Sequence, residues 1–470
     1  MQTDLESTGI AANPKLETKW WTPALAGPVI AAAVVRLALL AVSIVRTGSS
    51  VFSGADTASY LMPGRNLLLH GSFVADGVPD LLRTPGYSLF LAITSLTGLT
   101  TAAAVNIILS VFSVLLVWKL GRTVFQDDRI ALGAAWIFAF EPISIVNSFV
   151  LMSDTLFLAL LLLSLERLAM FLRCRRLPVL AAAGLWLAAA ALARPVAYYL
   201  AVPLALGLFL LLVRVPDLRW KAPAVLLISV LPWLAAWQIR NRVETRYREF
   251  SSISDLNLYF FCAADVTARL EHKNWLDVRN ELGYTVFTDH GGQSYLYPAY
   301  LAAHPEQTGW SQTQRLTFMH TEAVHIIRAH LGTYLHLCFE SLLKAVFNPG
   351  AGFFDHLLDP QDQAAANGLI DKGPVRWGIT LALTHPWAAL EKVAFEVVLL
   401  GFYLFALRGV FRAGMYNPCI WLLLGTSVYF LAVTAAAGGA GADARFRLPI
   451  MPVVCILAAA GIWRAKAIAR

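Results

Sequence analysis

The chain has 470 residues, 58% of them hydrophobic and only 14% charged, and its mean hydropathy is +0.61. Too little charge is present to cover a water-soluble surface, so the composition excludes a soluble enzyme, a disordered chain and a DNA-binding module and points to a membrane protein. The 37 basic residues outnumber the 30 acidic ones, giving a net charge of +7. The basic residues sit in short clusters between apolar runs, which suits contact with membrane lipids and not with nucleic acid.

The opening stretch, MQTDLESTGIAANPKLETKWW, is polar and of mixed charge, unlike a cleavable signal with its short basic leader, so the first apolar run is expected to remain as an anchor. A spanning helix needs about 20 mainly apolar residues to cross roughly 30 Å of hydrocarbon. Ten runs meet that need, at 22–46, 101–120, 129–150, 152–172, 178–193, 195–214, 221–239, 388–408, 418–437 and 447–463. The expected fold class is an all-α polytopic membrane protein of ten spans. Residues 86–98, PGYSLFLAITSLT, are apolar but short and read as a juxtamembrane helix.

Short loops rich in Lys and Arg stay in the cytoplasm. With ten crossings, Lys15 and Lys19, Arg122 and Arg129, Arg173 with Arg175 and Arg176, Arg214 with Arg219 and Lys221, Arg408 and Arg412, and Arg464 with Lys466 and Arg470 all fall on one side. Both termini are then cytoplasmic, and the expected location is the inner (cytoplasmic) membrane. The division that follows is a membrane module over 1–239 with an outer loop at 47–100, an outer loop domain over 240–387, and C-terminal spans over 388–470.

All ten histidines lie in the two outer loops. The second loop holds soluble-looking material, TDHGGQSYLYPAY, and an amphipathic run, TEAVHIIRAHLGTYLHLCFESLLKAVF, expected along the membrane surface. His320, His325, His330 and His336 are spaced by five, five and six residues, which scatters them around a helix instead of stacking metal ligands. The five cysteines form no CxxC pair, and pairing of Cys262 with Cys338 is left open. No phosphate loop, nucleophile elbow or HExxH motif occurs.

Chemistry therefore rests on acids and arginines at the outer ends of the spans. Asp56 follows the first span in a Gly-Ala-Asp turn and either offers a carboxylate at the membrane surface or caps the helix starting near Thr57. Arg83, before Thr84-Pro85, can bind a lipid phosphate or serve as an interfacial anchor. Asp154 lies in the outer turn LMSDTLF, where capping is the alternative, and Glu141 stands beside Pro142 inside the third run, as a site acid or a buried carboxyl at a proline break. Arg194, Arg445 and Arg447 occupy other outer ends. Singly each is a boundary marker; together they run against the positive-inside bias and describe a carboxylate surrounded by phosphate-binding cations.

The order GADTASY, RTPGYSLFLA, LMSDTLFLALLLLSL, ARPVAYYLAVPLAL, LPWLAAWQIRNRVETRY with SDLNLYF, and ARFRLPIMPVVCILAAAGIW resembles the GT-C superfamily of membrane glycosyltransferases, specifically the protein mannosyltransferases and aminoarabinose transferases of family 39. The likeness implies a GT-C-type helix bundle and transfer of a sugar from a polyprenyl-phosphate donor to a lipid, glycan or protein acceptor on the outer face. It implies Asp56 as the catalytic acid position, here a single Asp where many relatives have an acidic pair, and Asp154 as a second acidic position. Arg83 falls where relatives often place a basic residue before the proline turn; Arg194, Arg445 and Arg447, from their own positions, are the further candidate ligands of the donor phosphate. The expected mechanism makes Asp56 the general base in an inverting displacement; no cofactor is required, and dependence on a divalent metal is left open. The competing readings are a lipid-linked polysaccharide polymerase or ligase, and a transporter or flippase. The latter is disfavoured because Glu141 and Arg36 are nearly the only polar residues within the spans and no internal repeat is present.

Overall fold

Long apolar runs leave the backbone no partner but itself, and in this chain they become helices. The structure, a computed structural model, describes residues 21–284, 298–350, 383, 386–414 and 417–463. Lys15, Lys19, His290, His356, His385, Arg464, Lys466 and Arg470, and most of TDHGGQSYLYPAY, lie outside the described residues.

In chain order the first half contains α1 (Ala26–Thr47), α2 (Thr57–His70), a hairpin of β1 (Val74–Ala75) and β2 (Val78–Pro79), α3 (Pro85–Thr94), α4 (Leu99–Phe125), α5 (Asp128–Ala139), α6 (Pro142–Val146), α7 (Asp154–Cys174), α8 (Leu177–Ala193), α9 (Ala201–Leu211), α10 (Pro216–Arg219) and α11 (Lys221–Thr245). The segment after α11 contributes α12 (Ile253–Asn257), a π-turn over Leu258–Ala263, α13 (Ala264–Glu271), α14 (Trp275–Glu281), α15 (Pro298–Ala303), α16 (Gln312–Ala329) and α17 (Leu331–Phe347). The chain returns to the bundle in α18 (Pro386–Ala413), α19 (Pro418–Gly438) and α20 (Met451–Ile462).

Among the described residues seven helical stretches are long and apolar enough to cross a membrane: Pro23–Phe52, Leu99–Phe125, Asp154–Cys174, Pro216–Thr245, Ala389–Ala413, Pro418–Gly441 and Ala444–Ile462. The other three expected spans differ. The run at 129–150 is broken: α5 stops at Ala139, Pro142 has no N–H to continue the ladder, and Glu141 caps α6 by accepting from the Ser144 N–H at 2.5 Å. The runs at 178–193 and 195–214 become the shorter apolar helices Leu177–Ala193 and Pro195–Leu211, separated at Arg194-Pro195. The short run at 86–98 is the ten-residue helix α3, and the amphipathic run divides at His330 into α16 and α17.

The main core lies between α4, α5, α7, α8 and α20, where Trp118, Phe138, Phe157 and Phe171 are fully buried. The peripheral helices present exposed apolar side chains such as Val45 on α1, Ile228 on α11 and Val397 on α18, as lipid contact requires. Arg36 does not face a pathway. Its guanidinium donates to Ser110 Oγ (2.8 Å), Ser144 Oγ (2.7 Å) and the Ala139 carbonyl (3.0 Å), tying α1 to α4 and to the α5/α6 break.

The segment between α1 and α4 is docked on the segment that follows α11. Leu81 and Leu82 are buried in a separate core with Tyr259, Phe260 and Met319, and their carbonyls accept from Ser252 N–H (2.8 Å) and Ser251 Oγ (2.6 Å).

Candidate active site

Alternation of the helices brings the end of α1, the start of α7, the end of α8, the end of α19 and the approach to α20 to the same end of the bundle. Two turns meet there. The Gly54-Ala55-Asp56 turn is closed by Thr57 N–H to the Gly54 carbonyl (3.1 Å) and Gly54 N–H to Thr57 Oγ1 (2.8 Å). Thr57 Oγ1 in turn donates to the Leu151 carbonyl (2.9 Å), while the Leu151 N–H donates to the Phe52 carbonyl (2.9 Å). The loop carrying Asp56 is thereby fastened to the loop carrying Asp154.

Neither aspartate is occupied with capping. Asp56 stands at the N-cap position of α2 and Asp154 opens α7, but neither helix start has a side-chain capping bond. The Asp56 carboxylate instead meets Arg83 Nη2 at 2.8 Å, and Asp154 Oδ1 is paired with Arg194. Arg83 is held further by Ser59 Oγ (2.9 Å) and Tyr60 OH (3.3 Å), with its guanidinium 4.3 Å from the Tyr60 ring centroid. Tyr60 also donates to Ser153 Oγ (3.1 Å), which joins the two ion pairs. Gly86 permits this placement: a Cβ there would lie 2.7 Å from the Leu192 carbonyl group, so only glycine lets α3 approach the end of α8 that carries Arg194.

These residues line a cavity of about 370 Å³. Asp56, Arg83, Asp154, Arg194 and Arg445 make its charged end; Ser254, Asn257, Tyr199 and Tyr284 supply uncharged polar groups, and Phe430, Val433, Phe446 and Pro449 an apolar wall. Three arginines against two aspartates leave a cationic excess. Among the described residues Asp154 Oδ2 and Arg445 Nε, both buried, have no hydrogen-bond partner. Burial opposes ionisation of Asp56, but Arg83 beside it, then Arg445 and Arg194, hold its carboxyl below the usual carboxylate range. Burial pushes the Tyr284 phenol up, against the opposing charge of Arg279, so it remains a hydrogen-bond donor.

Arg447, expected beside Arg445, is not among the lining residues. It is buried with its guanidinium on the carbonyls of Ala345, Asn348 and Pro349. Residues two apart in the 3₁₀ turn Ala444–Ile450 point to different sides. Glu141 likewise serves as a helix cap away from the cavity. Among the described residues no group of three or more His, Cys, Asp or Glu side chains could hold a metal ion. His320 instead pairs with Asp255 at 2.9 Å and His336 with Glu340 at 3.1 Å, and Cys262 and Cys338 are free thiols. Tyr60, Tyr199, Asn257 and Tyr284 are not singled out by the sequence: the motifs GADTASY, ARPVAYYLAVPLAL and SDLNLYF contain the first three without assigning them a role, and Tyr284 lies in none of them.

Residues 85–238 match the family described as dolichyl-phosphate-mannose-protein mannosyltransferase. No curated protein matches the chain. Among solved structures, the archaeal oligosaccharyltransferase AglB from Archaeoglobus fulgidus, in complex with an inhibitory peptide and a dolichol-phosphate, is 14% identical over 93% of this chain and 50% of its own, with a TM-score of 0.48. The apo form of the Archaeoglobus fulgidus oligosaccharyltransferase is 12% identical over 94% of this chain and 50% of its own, with a TM-score of 0.49. The chain thus spans about half the length of these structures. The family segment contains α3 through most of α11, including Asp154 and Arg194.

Proposed function

We propose that the chain transfers a sugar from a polyprenyl-phosphate carrier to a hydroxyl of a lipid, glycan or protein acceptor at the extracytoplasmic surface. The observation that carries this reading is the cavity in which two arginine-held carboxylates and a third arginine face one space at the end of an apolar bundle. Its volume falls in the range of small-molecule sites, roughly 300–1,000 Å³. The loops with Arg122 and Arg129, Arg173 to Arg176, Arg214 to Lys221, and Arg408 with Arg412 lie at the opposite helix ends, which supports an outward-facing cavity.

The tail of such a donor needs an apolar path, and a separate apolar groove lies between α9 and α19. Val196 and Tyr199, just before α9, and Tyr429, Phe430 and Val433 on α19 line the charged cavity. Further along the same two helices, Leu204, Gly207 and Leu211 face Trp421, Leu422 and Gly425 across an apolar groove of about 260 Å³. From Val433 to Trp421 the seam runs ~18 Å at ~1.5 Å per residue.

In the reaction, the acceptor oxygen attacks the anomeric carbon while its proton passes to Asp56. The bond between that carbon and the phosphate oxygen breaks, and the electron pair leaves on the polyprenyl phosphate, which Arg83, Arg194 and Arg445 stabilise. One displacement inverts the anomeric centre. The family match, described by its mannosyl donor, supports a lipid-linked sugar.

Asp56→Asn tests the assignment. Purified in detergent, it should melt within a few degrees of the parent and lose roughly 10²–10⁴-fold in transfer from a radiolabelled polyprenyl-phosphate sugar. Parental turnover by this variant would remove Asp56 from the role of base.

A further inference from the structure

We propose that Asp80 is a positioning residue of this site: it fixes the peptide that carries Arg83 into the cavity, and through Arg83 it sets the affinity for the donor phosphate. The proposal rests on the functional reading above and extends it to a residue outside the cavity. Asp80 is fully buried, and its Oδ1 accepts from the Arg83 peptide N–H at 2.8 Å. It makes no ion pair within 4.0 Å among the described residues, and its Oδ2 has no hydrogen-bond partner there.

The turn so formed is anchored at every residue. The Asp80 N–H donates to the Phe73 carbonyl (3.0 Å). Arg240 on α11 then grips both peptides, donating from Nη1 to the Asp80 carbonyl (2.8 Å) and from Nη2 to the Phe73 carbonyl (2.6 Å). Its guanidinium lies 4.9 Å from the Trp237 ring and 5.6 Å from that of Phe73, and Glu244 one turn on holds Nη2 at 2.7 Å. The carbonyls of Leu81 and Leu82 are bonded to the segment after α11. Asp80, Leu81, Leu82 and Arg83 are all buried, so the backbone from which the Arg83 side chain reaches Asp56, Ser59 and Tyr60 is held by bonds on both sides.

A buried acid without an ion pair is a costly way to close a turn, because an amide would accept the same hydrogen bond without the desolvation of a charge. What the carboxylate adds is a charge-assisted bond to the N–H of the residue whose guanidinium meets the phosphate, and a negative field behind that guanidinium. Structure and charge therefore converge on Arg83. Holding a phosphate-binding cation within a fraction of an ångström of its working place is worth most in the binding term, because the reacting carbon and Asp56 lie beyond it.

The test is binding of a sugar-free polyprenyl phosphate in detergent micelles, read alongside transfer kinetics. Asp80→Ala should weaken the dissociation constant and raise the donor KM about tenfold, with kcat at saturating donor changed less than threefold. Asp80→Asn, which keeps the acceptor oxygen but not the charge, should recover only part of that loss, and full parental affinity in it would overturn the role given to the charge. A merely structural role predicts the opposite split, a fall in active fraction and so in kcat with an unchanged dissociation constant, and that result overturns the proposal. If Asp80→Ala does not accumulate, Arg240→Lys carries the test: it should weaken the same constant at least threefold, and parental affinity in that variant overturns the proposal. A parental enzyme that binds polyprenyl phosphate tightly but transfers no sugar would defeat the transferase reading while leaving the positioning result readable. One that does not bind it defeats both.

Discussion

Arg445 and Arg447 stand two residues apart in ADARFRLP and are both charged side chains at one end of a greasy bundle, yet they work in opposite surroundings. Arg445 lines the cavity in the field of Asp154, Asp443 and Asp56, with its Nε unpaired. Arg447 is turned into the protein and donates from Nη1 and Nη2 to three backbone carbonyls, although its Nε, like that of Arg445, has no partner among the described residues. Arg36 belongs with Arg447, and Arg83 and Arg194 belong with Arg445. The difference teaches that a cation among carboxylates keeps capacity for another anion, whereas a cation among carbonyls is already a structural rivet.

The strongest way to break this comparison is to remove each member. Arg445→Ala should lower kcat/KM for a polyprenyl-phosphate sugar by about 10²–10³, the size expected for one preorganised donor to a developing oxyanion. Its melting temperature should change little, since no secondary structure depends on its head group. Arg447→Ala should do the reverse. The buried Ala345 carbonyl and the partly buried Asn348 and Pro349 carbonyls lose their donor at up to roughly 1 kcal/mol each, so stability in detergent should fall by about 2 kcal/mol while the folded fraction keeps its kcat. Exchange of these two outcomes in paired melting and kinetic measurements would dismantle the division.

Asp80 sharpens the same point for carboxylates. Burial pushes its carboxyl up to about 6, although the N–H groups of Arg83 and Leu82 and the charges of Arg83 and Arg240 pull the other way. The folded chain then holds this proton more firmly than the unfolded one, whose Asp titrates near its ordinary 3.8. The native state is therefore favoured below that ordinary value, and the advantage is lost as pH rises through about 6. Asp80→Asn lacks the titration, so its stability relative to the parent should grow by on the order of 2 kcal/mol between pH 4 and pH 7.5. Parallel pH–stability curves for the two proteins would show that this acid is not desolvated as described.

Much of the site is legible in the amino-acid order, and the reasons are particular. Asp56, Arg83, Asp154 and Arg194 sit at the ends of apolar runs, where chain order alone brings them to one side. The pair Arg445 and Arg447 could not be separated, because the direction of each side chain depends on a 3₁₀ turn that hydropathy does not reveal. Asp80 was invisible for a different cause: it acts on a backbone N–H three residues away, and only the closed turn makes that contact. The run at 129–150 looked continuous since its hydropathy is, and Pro142 with Glu141 had to be weighed as a stop and a cap together.

Glycines carry the comparison to groups without charge. A Cβ on Gly409 would lie 1.9 Å from the Leu457 carbonyl oxygen, so that glycine exists to let α18 and α20 touch. A Cβ on Gly425 meets nothing within 4 Å and would stand in the groove between α9 and α19. Gly425→Leu should accordingly fill the groove without displacing backbone, and helix propensity alone predicts equal or higher stability. If the donor tail lies in that seam, KM should rise about tenfold, some 1.4 kcal/mol, for a donor with a full-length isoprenoid chain. A donor with only two isoprene units, too short to reach Gly425, should be used as well as before. Equal KM changes for both donors would place the tail elsewhere, and unchanged values for both would leave the groove to membrane lipid.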